Sequence, residues 1–249
     1  MENLLEEYFP FSLQKLVEKR GIKISSYGRE IPLSHKENLF ELLKSYYFRR
    51  VLHDVLSLGE LDKGKIGILE EKWGKNVDKY LRSMKRIGII EKRENIYNSR
   101  FPPSFVGNLF EWFVGEFLSQ ELHLETMVNV RLKEFKNGGD IDILSRVGVS
   151  LIMMECKESP PNNVPFPELK SVTERVLNLK PELFIFVIDT TLSVERNITN
   201  NFSHILGTEF VKVKEGVYKG GKSFFVVTAK RNLLQNISFA ITKGTNGMQ

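Results

Sequence analysis

Apolar residues recur at positions 39, 40, 42, 43, 47, 48, 51, 52, 55 and 56, the spacing of a helix with one buried face, which predicts a helix over Leu39–Leu58 ended by Gly59. A short helix around Lys65–Glu71 and a turn at Trp73-Gly74 come next. Over Lys75–Ile87 the residues Val77, Tyr80, Leu81, Met84 and Ile87 form one stripe, while Lys75, Lys79, Arg82 and Arg86 take the outward side. Gly88 supplies a left-handed cap. Ile89-Ile90 then opens a strand, and Glu91–Ser99 reads as a hairpin with Lys92 and Arg93 at its start. Residues 1–38 begin at helical spacing (Leu13, Leu16, Val17), turn irregular around Gly21–Pro32, and receive no role.

Phe101-Pro102-Pro103 interrupts both periodicities and divides the chain into a mostly helical part, 1–100, and a second domain, 101–249. The second part opens on a helix, Val106–Leu122. Strand-like runs follow at Met127–Phe135, Asp140–Arg146 and Val149–Lys157, joined by turns at Asn137-Gly138-Gly139 and Val147-Gly148. A proline-rich loop (Pro160, Pro161, Pro165, Pro167) leads to a helix reaching about Leu179. The unbroken apolar run Leu183–Ile188 suits a strand buried on both faces. A helix at Val194–Leu206 and strands near Phe210–Val213 and Phe224–Thr228 complete an α/β pattern, a central mixed sheet flanked by helices.

With 249 residues, 41% of them apolar and 27% charged, the chain is ordinary globular material. No apolar run approaches the roughly 20 residues of a membrane span. The opening segment is acidic, with no base before Lys15, and is not read as a secretory signal. The single cysteine, Cys156, excludes an intramolecular disulfide and a cysteine-based zinc cluster, and the four histidines show no ligand spacing. A reducing cytoplasm in a microbial or viral setting is the expectation. The net charge of +5 is not spread evenly: Leu61–Arg100 holds eleven Lys/Arg against six acids, the whole excess. A localised positive field selects a polyanion, and nucleic acid is the expected partner.

The chemistry concentrates at Val149–Lys157. A buried strand ordinarily ends in turn residues; this one ends in Glu155 and Lys157, two positions apart and so on one face, with Cys156 on the other. The preceding strand puts Asp140 and Asp142 on one face in the same way. If the two strands pair through Val147-Gly148, acids from both meet, and clustered carboxylates need a cation to neutralise them. Mg²⁺ or Mn²⁺ takes oxygen ligands of this kind. Such an ion held by Asp142 and Glu155, with Lys157 facing the phosphate, is the apparatus for phosphodiester hydrolysis with water as nucleophile. Lys170 and Arg175 on the next helix read equally as backbone contacts or as a solvated face.

Asp142-Ile143-Leu144, followed thirteen positions on by Glu155-Cys156-Lys157, resembles the PD-(D/E)XK nuclease superfamily of restriction endonucleases, Holliday-junction resolvases and Mrr-like enzymes. Ile141 stands where that pattern often has proline. The resemblance, over about Gly107–Ile188, implies a restriction-endonuclease-like domain in which Asp142, Glu155 and Lys157 are catalytic. It also implies a glutamate on the preceding helix. Glu111, at the edge of the stripe Phe110, Phe113, Val114, Phe117 and Leu118, is preferred to Glu116, because Gly107–Val114 is similar to the family's Gly-x-x-x-Glu helix. The expected metal ligands are Asp142, Glu155, Glu111 and Asp140. Upstream, three helices and a hairpin resemble a winged helix-turn-helix domain, which implies DNA contacts from Lys75, Lys79, Arg82, Arg86, Lys92 and Arg93. The expectation is a Mg²⁺- or Mn²⁺-dependent DNA endonuclease, dimeric if it cuts both strands. The alternatives are a DNA-binding regulator with an inactive nuclease-like domain and a nuclease for RNA or branched DNA.

Overall fold

The structure, a computed structural model, describes residues 12–28, 31–33, 35–133 and 140–246. The chain forms two compact units, Glu30–Phe113 and a larger discontinuous one made of Met1–Arg29 with Val114–Gln249. Residues 12–28, without a role in the sequence reading, belong to the larger unit as helix α1 (Leu13–Glu18) and strand β1 (Ile24–Ser26).

In the smaller unit the single helix expected over Leu39–Leu58 is two, α2 (Lys36–Leu43) and α3 (Tyr46–Leu58). The break lies at Ser45, whose extended backbone and side chain, accepting the Phe48 N–H at 3.3 Å, begin a new helix where the apolar spacing simply continued. Strand β2 (Glu60–Leu61), helix α4 (Lys63–Trp73), helix α5 (Val77–Arg86) and the hairpin β3 (Ile90–Arg93)–β4 (Ile96–Ser99) follow, with sheet order β2-β4-β3. Asp62 caps α4 through the Lys65 N–H at 2.8 Å. Gly88, at φ +83°, ends α5, and the Ile89 N–H reaches the Met84 carbonyl at 2.9 Å, the closure expected of a left-handed cap. Asp54 fastens α3 to the end of α4 by accepting from Lys72 Nζ and Trp73 Nε1, each at 2.7 Å. Pro102 and Pro103 lie within the span of the smaller unit. Their carbonyls accept from Phe105 and Val106 and so form the entry turn of α6 (Phe105–Glu116), where proline's missing N–H does no harm.

The larger unit is built on an eight-stranded sheet of order β1-β5-β6-β7-β8-β11-β10-β9, with β5 (Glu125–Leu132), β6 (Asp140–Val147), β7 (Ser150–Lys157), β8 (Leu183–Ile188), β9 (Phe210–Lys214), β10 (Val217–Gly220) and β11 (Phe224–Thr228). The expected strand end at Phe135 and the turn Asn137–Gly139 lie outside the described residues. Strands β7, β8 and β11 are mutually parallel and the other pairs antiparallel, a mixed α/β sheet. The parallel centre is buried on both faces, which is why Leu183–Ile188 is apolar without interruption. One face carries Met153, Phe184, Phe186 and Val226 against Leu169 and Val172 of α7 (Phe166–Leu179) and Phe202 of α8 (Asn200–Leu206). The other is covered by α9 (Leu233–Thr245), absent from the sequence reading, as was β10. Gly244 of α9 lies so close to Leu183 that an added Cβ would stand 2.6 Å from its Cδ1. The helix expected from Val194 opens with a wide turn at Glu195–Thr199 before α8 proper. No helix among the described residues is long and apolar enough to cross a membrane.

Candidate active site at the end of strand β7

Strands β6 and β7 pair antiparallel with Leu144 opposite Met153 and Ile143 opposite Met154. Asp142 and Glu155 are the next residues along the two strands, and the charges of both act on the Lys157 ammonium. There the side chain of Asp142 takes over from the ladder, its Oδ2 accepting the Cys156 N–H at 2.7 Å. Cys156 itself is buried.

Glu155 is 3% exposed, and a carboxylate so enclosed requires compensation. Its Oε1 lies 2.9 Å from Lys157 Nζ, and its Oε2 accepts from Arg175 Nη2 at 2.8 Å. Lys157 also stands 2.8 Å from Glu168 Oε1. Burial pushes the Lys157 ammonium down, but the charges of Glu155 and Asp142 and the hydrogen bond to Glu168 outweigh it and hold the group above the usual lysine range. It is a cation at neutral pH, able to offset negative charge and unable to act as a base. The structure thus gathers Asp142, Glu155 and Lys157 at the C-terminal end of a parallel strand, the edge at which open α/β sheets hold ligands.

Arg175 and Glu168 complete this network and were not assigned to it from the sequence. They are seven residues apart on α7, on the stripe that also carries the buried Val172 and Leu179. A charged residue at each of two positions of an apolar stripe was the available signal. Lys170 is exposed and takes no part. Asp140 forms an exposed ion pair with Arg131 at 3.3 Å. Glu111 lies half-buried on α6, within the span of the smaller unit. Among the described residues no three of His, Cys, Asp and Glu assemble into a metal cage. The two carboxylates Asp142 and Glu155 nevertheless fit a Mg²⁺-type cation, which takes one or two protein carboxylates and completes its shell with water and substrate phosphate.

In the smaller unit Lys75, Lys79, Arg82, Arg86, Lys92 and Arg93 are all exposed. The opposite side of α5 is buried through Val77, Leu81 and Met84. Arg82 pairs with Asp78 at 3.1 Å, Arg93 with Glu91 at 2.7 Å, and Lys92 Nζ sits 5.3 Å from the centre of the Tyr97 ring.

No protein-family model and no curated protein sequence matches the chain. Among solved structures, protein VC1899 from Vibrio cholerae aligns over 95% of this chain with a TM-score of 0.53 at 12% identity. Can2 from Sulfobacillus thermosulfidooxidans, solved in complex with cyclic tetra-adenylate, aligns over 94% with a TM-score of 0.51 at 14% identity. A looser likeness, TM-score 0.37 at 15% identity over 77% of this chain and 26% of the other, is to a Type III CRISPR defence DNA nuclease activated by cyclic oligoadenylate. The chain spans 62% and 61% of the lengths of VC1899 and Can2. It shares their fold.

Proposed function

We propose that the chain is a metal-dependent endonuclease of the PD-(D/E)XK type that hydrolyses phosphodiester bonds in DNA. The observation that carries this reading is the convergence of Asp142, Glu155 and the protonated Lys157 at one end of β7. Asp142 and Glu155 would hold Mg²⁺ or Mn²⁺, with Asp140 as a further ligand; Asp140 would have to leave Arg131 for that role. When bound, the ion polarises a phosphoryl oxygen and acidifies a water, the nucleophile. Lys157 orients that water and offsets the charge that develops on the phosphate.

The smaller unit is assigned as a winged helix, with α5 docking in the major groove and β3–β4 as the wing. Lys75, Lys79, Arg82, Arg86, Lys92 and Arg93 would contact phosphates, which fix position without reading sequence. A double-strand break needs two such centres, hence a homodimer. The length of VC1899 and Can2 that this chain does not span leaves their whole activities outside the proposal.

One observation favours a second reading, a DNA-binding regulator whose nuclease-like domain does not cut: both oxygens of Glu155 are held by protein cations. Plasmid cleavage titrated with Mg²⁺ and Mn²⁺, wild type beside Glu155→Ala and Asp142→Ala, decides between them. Cleavage that requires the metal and disappears in both variants, with DNA binding retained, is the expected result. Binding without any cleavage by the wild type establishes the regulator. A panel of duplex, single strand, four-way junction and RNA then identifies the polymer.

A further inference from the structure

The two cations on Glu155 are not equivalent. Lys157 Nζ has two carboxylates at ion-pair distance, Glu155 at 2.9 Å and Glu168 at 2.8 Å, and feels Asp142 as well. Arg175 has Glu155 as its single ion-pair partner among the described residues. Its Nη1 meets Ser171 Oγ at 3.3 Å, and its Nε is buried with no hydrogen-bond acceptor among the described residues. Taking Glu155 away from Arg175 would strand a largely buried guanidinium, a heavy penalty. Taking Oε1 away from Lys157 leaves that ammonium paired to Glu168. If one cation must yield, the lower-cost displacement is that of Lys157.

We infer that Glu168 is a positioning residue that receives the Lys157 ammonium when Glu155 Oε1 is given over to a divalent cation, while Arg175 retains Oε2 and fixes the carboxylate plane. The inference rests on the cation site proposed above. It accounts for the seven-residue spacing of Glu168 and Arg175, which sets an acid over Lys157 and a base over Glu155, opposite in sign to the strand beneath. Glu168 touches neither the ion nor the substrate and acts through Lys157 alone.

The test is Mn²⁺ binding to the full chain by titration calorimetry, in a cycle of wild type, Glu168→Gln, Lys157→Met and the double variant. Glu168→Gln alone should weaken Mn²⁺ roughly tenfold, within the range of coupling between contacting charged groups. In the Lys157→Met background it should change the dissociation constant by less than about twofold, because no ammonium is left to receive. Equal weakening in both backgrounds makes Glu168 a distant negative charge and overturns the hand-over, leaving the cation site standing. A wild type that binds no Mn²⁺ sinks the cation site and the hand-over together. Glu168 is 37% exposed in its side chain, so its substitution leaves the core untouched, and thermal melting of all four proteins verifies this.

Discussion

Replacing Asn236 probes how the larger unit is tied together beside its functional edge. Asn236 lies on α9 at 1% exposure, and its Nδ2 donates to the carbonyls of Thr228, at 3.1 Å, and Lys230, at 2.9 Å. The two acceptors differ in what they lose. The Lys230 carbonyl also accepts the Asn232 N–H at 2.9 Å and stays satisfied after truncation, so that bond is worth about 0.5–1.5 kcal/mol. The Thr228 carbonyl loses its side-chain donor in a fully buried position, at a cost of about 1–3 kcal/mol. Asn236→Ala should therefore cost about 1.5–4.5 kcal/mol, a large share of the roughly 5–15 kcal/mol typical of a domain. Asn236→Asp keeps the shape but turns a carboxylate toward two carbonyl oxygens. Burial and that repulsion raise the folded pKa of the new acid above its unfolded value near ~4. Its penalty is absent below the unfolded pKa and grows as the pH climbs toward the folded one. Urea unfolding followed by circular dichroism, with amide exchange at Val226–Thr228 to locate the loss, measures both. A loss under about 1 kcal/mol for Asn236→Ala, or an Asn236→Asp protein whose stability ignores pH, would refute the reasoning.

Phe202 packs its ring 4.8 Å from that of Phe224 and 5.2 Å from that of Phe186, so Phe202→Ala should cost about 3–5 kcal/mol in urea unfolding and Phe202→Leu less than half of that. Burial pushes the Glu195 carboxyl up, but hydrogen bonds from Ser193 and Tyr218 and the Lys230 charge outweigh it and hold the group at about 2 against an ordinary 4.5. A lowered carboxyl contributes stability above its unfolded pKa and loses it as the pH falls. The wild type should thus lose up to about 1 kcal/mol more than Glu195→Gln between pH 4.5 and 2, solvent screening limiting the size. Lys79→Ala combined with Arg86→Ala should weaken DNA binding irrespective of sequence and flatten the plot of log affinity against log salt by roughly two units, as measured by fluorescence anisotropy.

The elements legible in sequence were those whose pattern comes from one strong cause. Leu183–Ile188 announced a doubly buried strand, and Val77–Met84 a helix with one wet face. What stayed illegible depended on partners distant in sequence. Ile24–Ser26 carries too little alternation to be a strand by itself and becomes one because β5 pairs with it. Val217–Gly220 is short, and its place is set by β9 and β11 on either side. The division of Leu39–Leu58 turned on one hydroxyl at Ser45, to which an apolar count is blind. At the site, Asp142, Glu155 and Lys157 were readable because a period of two places charges at a strand end. Arg175 and Glu168 were ambiguous because a charged helix position usually faces water, and only packing reveals that these two turn inward.

The discontinuity of the larger unit dictates an order of assembly. The smaller unit is one continuous span, residues 30–113, whereas β1 must wait for β5, whose partner residues Arg131 and Leu132 emerge from the ribosome about a hundred positions later. During synthesis the inserted unit can complete itself while Ile24–Ser26 is still an unclaimed ribbon. A shortened chain beginning at residue 30 would keep the early-folding piece and leave the outer rim of β5 bare, an open template for aggregation.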